Sequence, residues 1–281
     1  MSELYELYLR NFPDIVRSEK TVRQLLADPE NRVIGRYENG KLIGAAAVHK
    51  NCIRMLCVDE AWRGRGIGSE LLLEAEAAAV GERIVIGAGD GYITPGVPSD
   101  GPVCGGNLQG AAAFFAKRGY AHDWGCECFD MKMALADFSA KPEASAICYR
   151  FAEAADLPAI HACTEDAHPS FTKYYTAHKF DSENQRILVA EDAGEIVGTL
   201  IVSFGTEGAG IGSVGCTSVK HSHRGRHIGV NLTIHGTKAL HDGGMKTAFL
   251  GYTYSGLDVM YGYAGYKICQ YYMMASKENK K

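Results

Sequence analysis

Trp62-Arg63-Gly64-Arg65-Gly66-Ile67-Gly68-Ser69-Glu70-Leu71-Leu72 is the stretch from which the rest of the chain can be read. It follows an apolar run, Ile53 to Val58, and precedes apolar residues at helical spacing, Leu71, Leu72, Leu73 and Ala75. The order is strand, glycine loop, helix start. Glycines in such a loop carry no Cβ and accept positive φ. Consecutive backbone N–H groups can then converge on an anion at the positive end of the helix dipole. The spacing therefore predicts a loop that cradles a pyrophosphate. The pattern occurs again at Arg224-Gly225-Arg226-His227-Ile228-Gly229, which follows Val219 and precedes Leu232, Ile234 and Leu240. In both places a valine, Val58 or Val219, stands five residues before the arginine.

Outward from these loops the two halves continue to match. Glu38-Asn39-Gly40-Lys41-Leu42-Ile43-Gly44 reads as a hairpin turn entering a strand, and Asp192-Ala193-Gly194-Glu195-Ile196-Val197-Gly198 repeats it 154 residues later. Phe115-Ala116-Lys117-Arg118-Gly119-Tyr120 is repeated by Tyr261-Gly262-Tyr263-Ala264-Gly265-Tyr266. Three blocks in one order indicate a duplicated fold, whose unequal spacings reflect loops of different length. A short polar stretch broken by Pro142, Ala136 to Ser145, reads as the linker. Copy one is therefore expected at 1–138 and copy two at 146–281. Copy two is expected to open on a strand at Ile147 to Phe151 and a helix from Glu153 to His161, with Pro158 in its first turn.

Two other glycine-loop chemistries fit poorly. Ile67-Gly68-Ser69-Glu70 lacks the lysine of a nucleoside-triphosphate loop. The loop also lies well inside its copy, after a hairpin, whereas the dinucleotide fingerprint opens its fold on the first strand. The residues resemble instead the GNAT superfamily of N-acetyltransferases, whose Arg/Gln-x-x-Gly-x-Gly/Ala signature is matched by Arg63, Gly66 and Gly68. The resemblance covers essentially the whole chain, twice. It implies an α/β fold of two tandem GNAT-like domains, each a mixed, mostly antiparallel splayed sheet flanked by helices. It implies acetyl-CoA as co-substrate. The pantetheine arm would lie where the strand at Ile53 to Val58 parts from the one at Arg83 to Gly87. Leu56, Val58, Arg63, Gly64, Arg65, Gly66, Ile67 and Gly68 are then the expected coenzyme-binding residues of copy one. Their counterparts in copy two are Val219, Arg224, Gly225, Arg226 and Gly229. His227 replaces the second signature glycine, and can point outward if the backbone there does not need positive φ.

Acyl transfer to an amine needs a proton removed from the ammonium and one given to the leaving thiolate. In the family a tyrosine four residues before the glycine of the last block often serves as that acid. Tyr261 occupies the place in copy two and Phe115 in copy one. The competing reading of Tyr261 is packing on a sheet within a Tyr-rich segment. Copy one also carries a Gly- and Pro-rich insertion, Gly87 to Gly106, before a helix expected at Leu108 to Lys117. Its Asp90 and Tyr92 are candidates for acceptor contact or proton transfer, although Asp90 also suits a turn cap. His221, Ser222, His223 and His227 could suggest a metal. No local carboxylate or cysteine joins them, so no metal is expected. Cys126 and Cys128 lack a second pair at zinc spacing and read as residues of one strand.

Composition closes off other classes. The 281 residues are 46% hydrophobic and 22% charged with a net charge of -4, without the basic excess that favours nucleic acid or an anionic membrane. Nine cysteines, mostly in apolar runs, read as reduced core thiols of a cytoplasmic protein. No signal peptide and no membrane-spanning run is evident. The expected function is an acyl-CoA-dependent N-acetyltransferase acting on a primary amine of a small molecule. The alternatives are a non-catalytic acyl-CoA sensor or interaction protein and a transferase of another acyl group.

Overall fold

A computed structural model describes residues 3–87 and 92–280. The chain forms two compact units, one from residues 1–129 with 270–281 and the other from 130–269.

In the first unit, α1 (Glu3–Asn11) and α2 (Glu19–Leu26) precede β1 (Arg32–Glu38), β2 (Lys41–His49) and β3 (Cys52–Val58). Ser18 starts α2 by accepting the Thr21 N–H, as an N-cap serine does. The predicted hairpin joins β1 and β2, with Asn39 at φ 49° and Gly40 at φ 76°, a tight turn whose twist suits antiparallel strands. Then come α3 (Ile67–Ala78), β4 (Arg83–Ile86), β5 (Val97–Ser99), α4 (Gly110–Ala116) and β6 (Ala121–His122), while β7 (Cys128–Ala134) crosses into the second unit at residue 130.

The second unit repeats the order. It holds β8 (Cys148–Phe151), α5 (Leu157–Ala167), β9 (Gln185–Asp192), β10 (Glu195–Phe204), β11 (Ile211–Val219), α6 (Ile228–Asp242), β12 (Thr247–Tyr254) and α7 (Leu257–Gly262); β13 (Lys267–Met273) then crosses the boundary at residue 270, and β14 (Ala275–Glu278) belongs to the first unit. The expected first helix thus begins at Leu157, after a short 3-10 turn at Ala154–Asp156, with Pro158 in its first turn.

The first sheet runs β1-β2-β3-β4-β14-β6, with only β3 and β4 parallel among its characterised pairs. The second contains β13-β7-β12-β11-β10-β9-β8, and β5 lies along the Tyr271 to Met273 end of β13. Its β11 and β12 are parallel, while β8 to β11 pair antiparallel. The repeat boundaries 1–138 and 146–281 follow sequence similarity. The compact units depart from them because β14 pairs with β4 and β6, drawing the C-terminus into the first sheet.

The helix after each glycine loop is set against its sheet in the same way. Leu71, Leu72 and Ala75 of α3 join Ile34, Ala46 and Val48 in one buried cluster. Leu232 and Ile234 of α6 are buried likewise. The matched glycines permit this approach. A Cβ on Gly44 would come within 3.2 Å of Leu71 and 3.4 Å of Ile67, and one on Gly198 within 3.0 Å of Leu232 and 3.1 Å of Ile228.

Candidate functional site

The two loops have the same backbone. Asp59 (φ −50°, ψ 138°) corresponds to Lys220 (−48°, 140°), and Arg63 (−67°, 159°) to Arg224 (−67°, 160°). Gly64 and Gly225 lie at φ 76° and 75°. Gly66 (φ 89°, ψ −19°) and His227 (φ 57°, ψ 16°) are both left-handed and both cap the following helix. The condition under which a side chain at 227 was expected to fit is therefore not met: the backbone is left-handed, and histidine adopts it. Histidine is among the residues enriched in that region. Its ring leaves the loop to meet Glu143 Oε2 at 2.7 Å, while Asn231 accepts the Glu143 N–H at 2.9 Å and donates to its carbonyl at 3.2 Å.

The signature arginines brace the loops. Arg63 Nε donates to the Val58 carbonyl at 2.9 Å and Nη2 to Asn11 Oδ1 at 3.0 Å. Arg224 does the same toward Val219 (3.4 Å) and Ala167 at the end of α5 (3.1 Å). Arg65 folds back onto the Ala61 carbonyl and over the Trp62 ring, and Arg226 pairs with Asp192 at 2.8 Å. With these side chains turned away, the backbone faces the space before each helix, whose first turn has N–H groups without intrahelical acceptors. A Cβ on Gly64, Gly66 or Gly225 would meet nothing within 4 Å. Val58 and Val219 each sit 3.8 Å from the Cβ position of the last loop glycine, Gly68 or Gly229.

Beside each loop the parallel strands part. Among the described residues β3 pairs with β4 through Cys52↔Val85 and Ile53↔Ile86, then continues past Leu56 to Val58. β11 and β12 pair through Ile211↔Thr247, Gly212↔Ala248 and Ser213↔Phe249, after which they run on to Val219 and Tyr254 without further pairing to one another, β11 staying paired with β10. A bulge in β11 places Cys216 at φ 52°. Tyr175, fully buried, donates its O–H to the Cys216 carbonyl at 2.7 Å and accepts from Thr199 Oγ1 at 3.0 Å, which pins that bulge.

Tyr261 on α7 is 4% exposed and its hydroxyl lies 3.5 Å from Thr217 Oγ1 on the parted stretch of β11. Burial pushes its pKa up, so it holds its proton at neutral pH. The packing alternative is also present, since its ring stands edge-on to Tyr266 as Phe115 stands to Tyr120. In copy one the positions equivalent to Thr217 and Tyr261 are Leu56 and Phe115, and Leu56 packs on the cluster containing Phe115. The last tyrosine of each block anchors to its helix, Tyr120 to Glu76 (3.1 Å) and Tyr266 to Thr237 (3.0 Å).

Other expectations meet different surroundings. Asp90 lies outside the described residues. Tyr92 is held by Arg17, whose guanidinium lies 4.2 Å from its ring and donates to its carbonyl at 3.1 Å. Carboxylates do reach the histidine cluster, from distant sequence: Asp166 contacts His221 (3.2 Å) and Asp192 lies 3.6 Å from His223. They are different carboxylates, and among the described residues no group of three His, Cys, Asp or Glu could hold a metal. Cys126 falls before β7 rather than in it. The thiols are less uniformly buried than expected, since Cys104, Cys148 and Cys269 are exposed. Pattern reading missed Tyr175, Thr199, Cys216 and Glu143, which act through contacts 24 to 84 residues apart. It also passed over Arg118, inside a matched block, which donates to Ser69 Oγ at 2.6 Å in the first turn of α3.

A glycine loop at a helix start, beside a parting of parallel strands and present twice, defines a tandem acyltransferase fold. The Acetyltransferase (GNAT) family profile matches residues 1–88 and 155–258, more than half of the chain, and the chain belongs to that family. Among solved structures, the fold is similar to the GCN5-related glucosamine N-acetyltransferase region of a fungal multi-domain β-N-acetylglucosaminidase, with TM-score 0.74 and 19% identity over 98% of this chain. This chain spans 36% of that protein's length. It is also similar to a GCN5-related N-acetyltransferase from Sphaerobacter thermophilus, with TM-score 0.71 and 20% identity over 99% of this chain and 92% of that one. A tandem GNAT protein from the clavulanic acid biosynthesis pathway gives TM-score 0.68 and 16% identity over 100% and 95%. At such identities the likeness establishes the fold. No curated protein matches the chain.

Proposed function

We propose that this protein transfers the acetyl group of acetyl-CoA to the primary amine of a small molecule. The residues present suit the co-substrate: a Cβ on Gly64, Gly66 or Gly225 would meet nothing within 4 Å, which leaves room for a phosphate at the first loop, while at the second a phosphate would displace the exposed Glu143 carboxylate from His227. Residues 63–68 would hold the pyrophosphate in copy one and 224–229 in copy two, with Leu56, Val58 and Val219 on the strands alongside. Acetyl-CoA supplies an acyl group activated as a thioester. The chain contributes orientation, which accounts for much of the acceleration in such reactions, and a proton held on the Tyr261 hydroxyl for the leaving group. The observation that carries this reading is the paired exchange between copies, Leu56 with Phe115 in one and Thr217 with Tyr261 in the other, where β11 has parted from β12. It favours copy two as the half that handles protons.

Free thiols at all nine cysteines support a cytoplasmic setting, and among the described residues no helix is long and apolar enough to cross a membrane. Glucosamine is a reasonable first acceptor to try, given the name of the fungal region with a similar fold. Isothermal titration with acetyl-CoA tests the proposal without a known acceptor, and two sites are expected. Gly66→Asp would put a carboxylate where phosphate should sit and a side chain on left-handed backbone. It should weaken the first site by at least about 100-fold and leave the second. Absence of any binding heat, or unchanged affinity and stoichiometry in Gly66→Asp, would overturn the coenzyme assignment. Binding without thiol release across a panel of amines would make the protein a sensor.

A further inference from the structure

β1 is the outermost strand of its sheet. Its counterpart in the second copy, β9, is covered: β8 runs antiparallel along it, pairing Phe151, Arg150, Tyr149 and Cys148 with Leu188, Val189, Ala190 and Glu191. Through the matched hairpins these four β9 positions correspond to Ile34, Gly35, Arg36 and Tyr37. The duplication therefore shows, within one molecule, what lies along this edge of the fold when it is filled: a short antiparallel strand. Among the described residues of the first copy no strand lies on that side.

An open edge offers unpaired N–H and C=O groups to another chain, and proteins usually blunt it with proline, a very short strand or obstructive charge. β1 has seven residues and no proline, and it exposes two large apolar side chains, Val33 at 48% and Tyr37 at 59%. Arg36 is engaged within its own chain. Its guanidinium is turned to Glu70 (3.3 Å) and Glu74 on α3, with one further bond to the Gly35 carbonyl at 3.2 Å.

The strand Arg32-Val33-Ile34-Gly35-Arg36-Tyr37-Glu38 is complementary to itself when reversed. Turned about Gly35, it sets Arg32 opposite Glu38 of the partner subunit and Val33 opposite Tyr37 of the partner subunit. Both are cross-strand pairings that stabilise antiparallel sheets, an opposite-charge pair and an aromatic with a β-branched residue. Gly35 at the centre has room only for hydrogen, because a Cβ there would lie 2.9 Å from the Tyr37 ring. Two exposed apolar residues and two opposite charges at matched distances from one glycine point to a single occupant. We propose that β1 pairs antiparallel with β1 of a second copy of this chain, with the two-fold axis at Gly35, so that two six-stranded sheets continue into one another. A seven-residue seam is smaller than a standard interface of roughly 1,600 Å², so the dimer is weak and in exchange with monomer.

Sedimentation velocity of the full chain over a concentration series tests this directly. A monomer–dimer equilibrium is expected. Arg32→Glu and Glu38→Arg, each made alone at an exposed position, place like charges opposite one another twice across the axis and should raise the dimer Kd about tenfold. The double reversal Arg32→Glu with Glu38→Arg restores the opposite pairs and should restore the wild-type Kd, and circular dichroism checks that each variant is folded. A chain that stays monomeric up to about 1 mM, a dimer unmoved by either single reversal, or a double reversal that does not recover would each overturn the proposal. The measurement needs neither coenzyme nor acceptor, so it stands apart from the assignment of activity.

Discussion

His227 and Gly66 hold the same left-handed position, and the comparison separates what the loop needs from what it tolerates. Left-handed backbone costs an ordinary residue about 1–2 kcal/mol. The loop in copy two keeps it nevertheless, because the helix start behind it and the arginine brace from Arg224 dictate the path. Glu143 is an anion already placed beside that helix start, yet its pair with His227 is exposed, and exposed pairs contribute little. A pyrophosphate carrying more charge can displace it. Tyr261 is the other residue on which the reading depends. Tyr261→Phe removes one oxygen and keeps the ring contact with Tyr266, so folding should be unaffected. We expect kcat to fall about 100-fold, in the range of general acid contributions, with acetyl-CoA affinity unchanged. Full turnover in this variant would move the chemistry to copy one or leave protonation to water.

Among the elements, β14 has the largest consequence for its size. Ser276 pairs with Val85 on one side and Ala121 on the other, and its hydroxyl accepts from Arg83 Nε at 2.6 Å. The strand is therefore interior to the first sheet and supports β4, which flanks the parting from β3. A proline there cannot supply the ladder N–H and crowds a doubly paired strand. Ser276→Pro should cost on the order of 3 kcal/mol and lower Tm by about 6–12 °C, with weaker acetyl-CoA binding at the first loop. Calorimetry in the absence and presence of acetyl-CoA reads both effects. An unchanged Tm would mean that β14 is not a sheet strand in solution. The helices α3 and α6 show the opposite relation to sequence, since their starts, faces and loops all follow from residues within about two turns of one another.

Across the whole molecule, buried protonated groups shape the pH response. Burial pushes up the phenols of Tyr120, Tyr175, Tyr261 and Tyr266 and raises the Cys163 thiol to about 11 and the Cys57 thiol to about 12. These groups are protonated in both states below their ordinary values, 9.0 for the thiols and 10.0 for the phenols. Above those values the unfolded chain releases protons that the folded chain keeps, so stability falls as pH rises. On the acid side, hydrogen bonds from Arg150 hold the Asp156 carboxyl below its ordinary 3.8, and the stability this adds is lost as pH falls through that region. Urea midpoints should therefore be level near neutrality and decline above about pH 9 and below about pH 4. A midpoint that rises from pH 9 to 11 would contradict the burial of these groups. The sequence by itself determined the duplication, the two glycine-type loops, the helices that follow them and the place of Tyr261 in its block. Each is written in short-range patterns, because glycine torsions and helical periodicity depend on near neighbours. Tertiary structure alone decided that β14 completes the first sheet, that Tyr175 pins the bulge at Cys216, that Glu143 meets His227, and that β8 covers one edge strand while β1 is outermost among the described strands of its sheet. Those are pairings between residues far apart in the chain, and no local pattern encodes them because they are set by which surfaces remain to be buried once the local elements have formed.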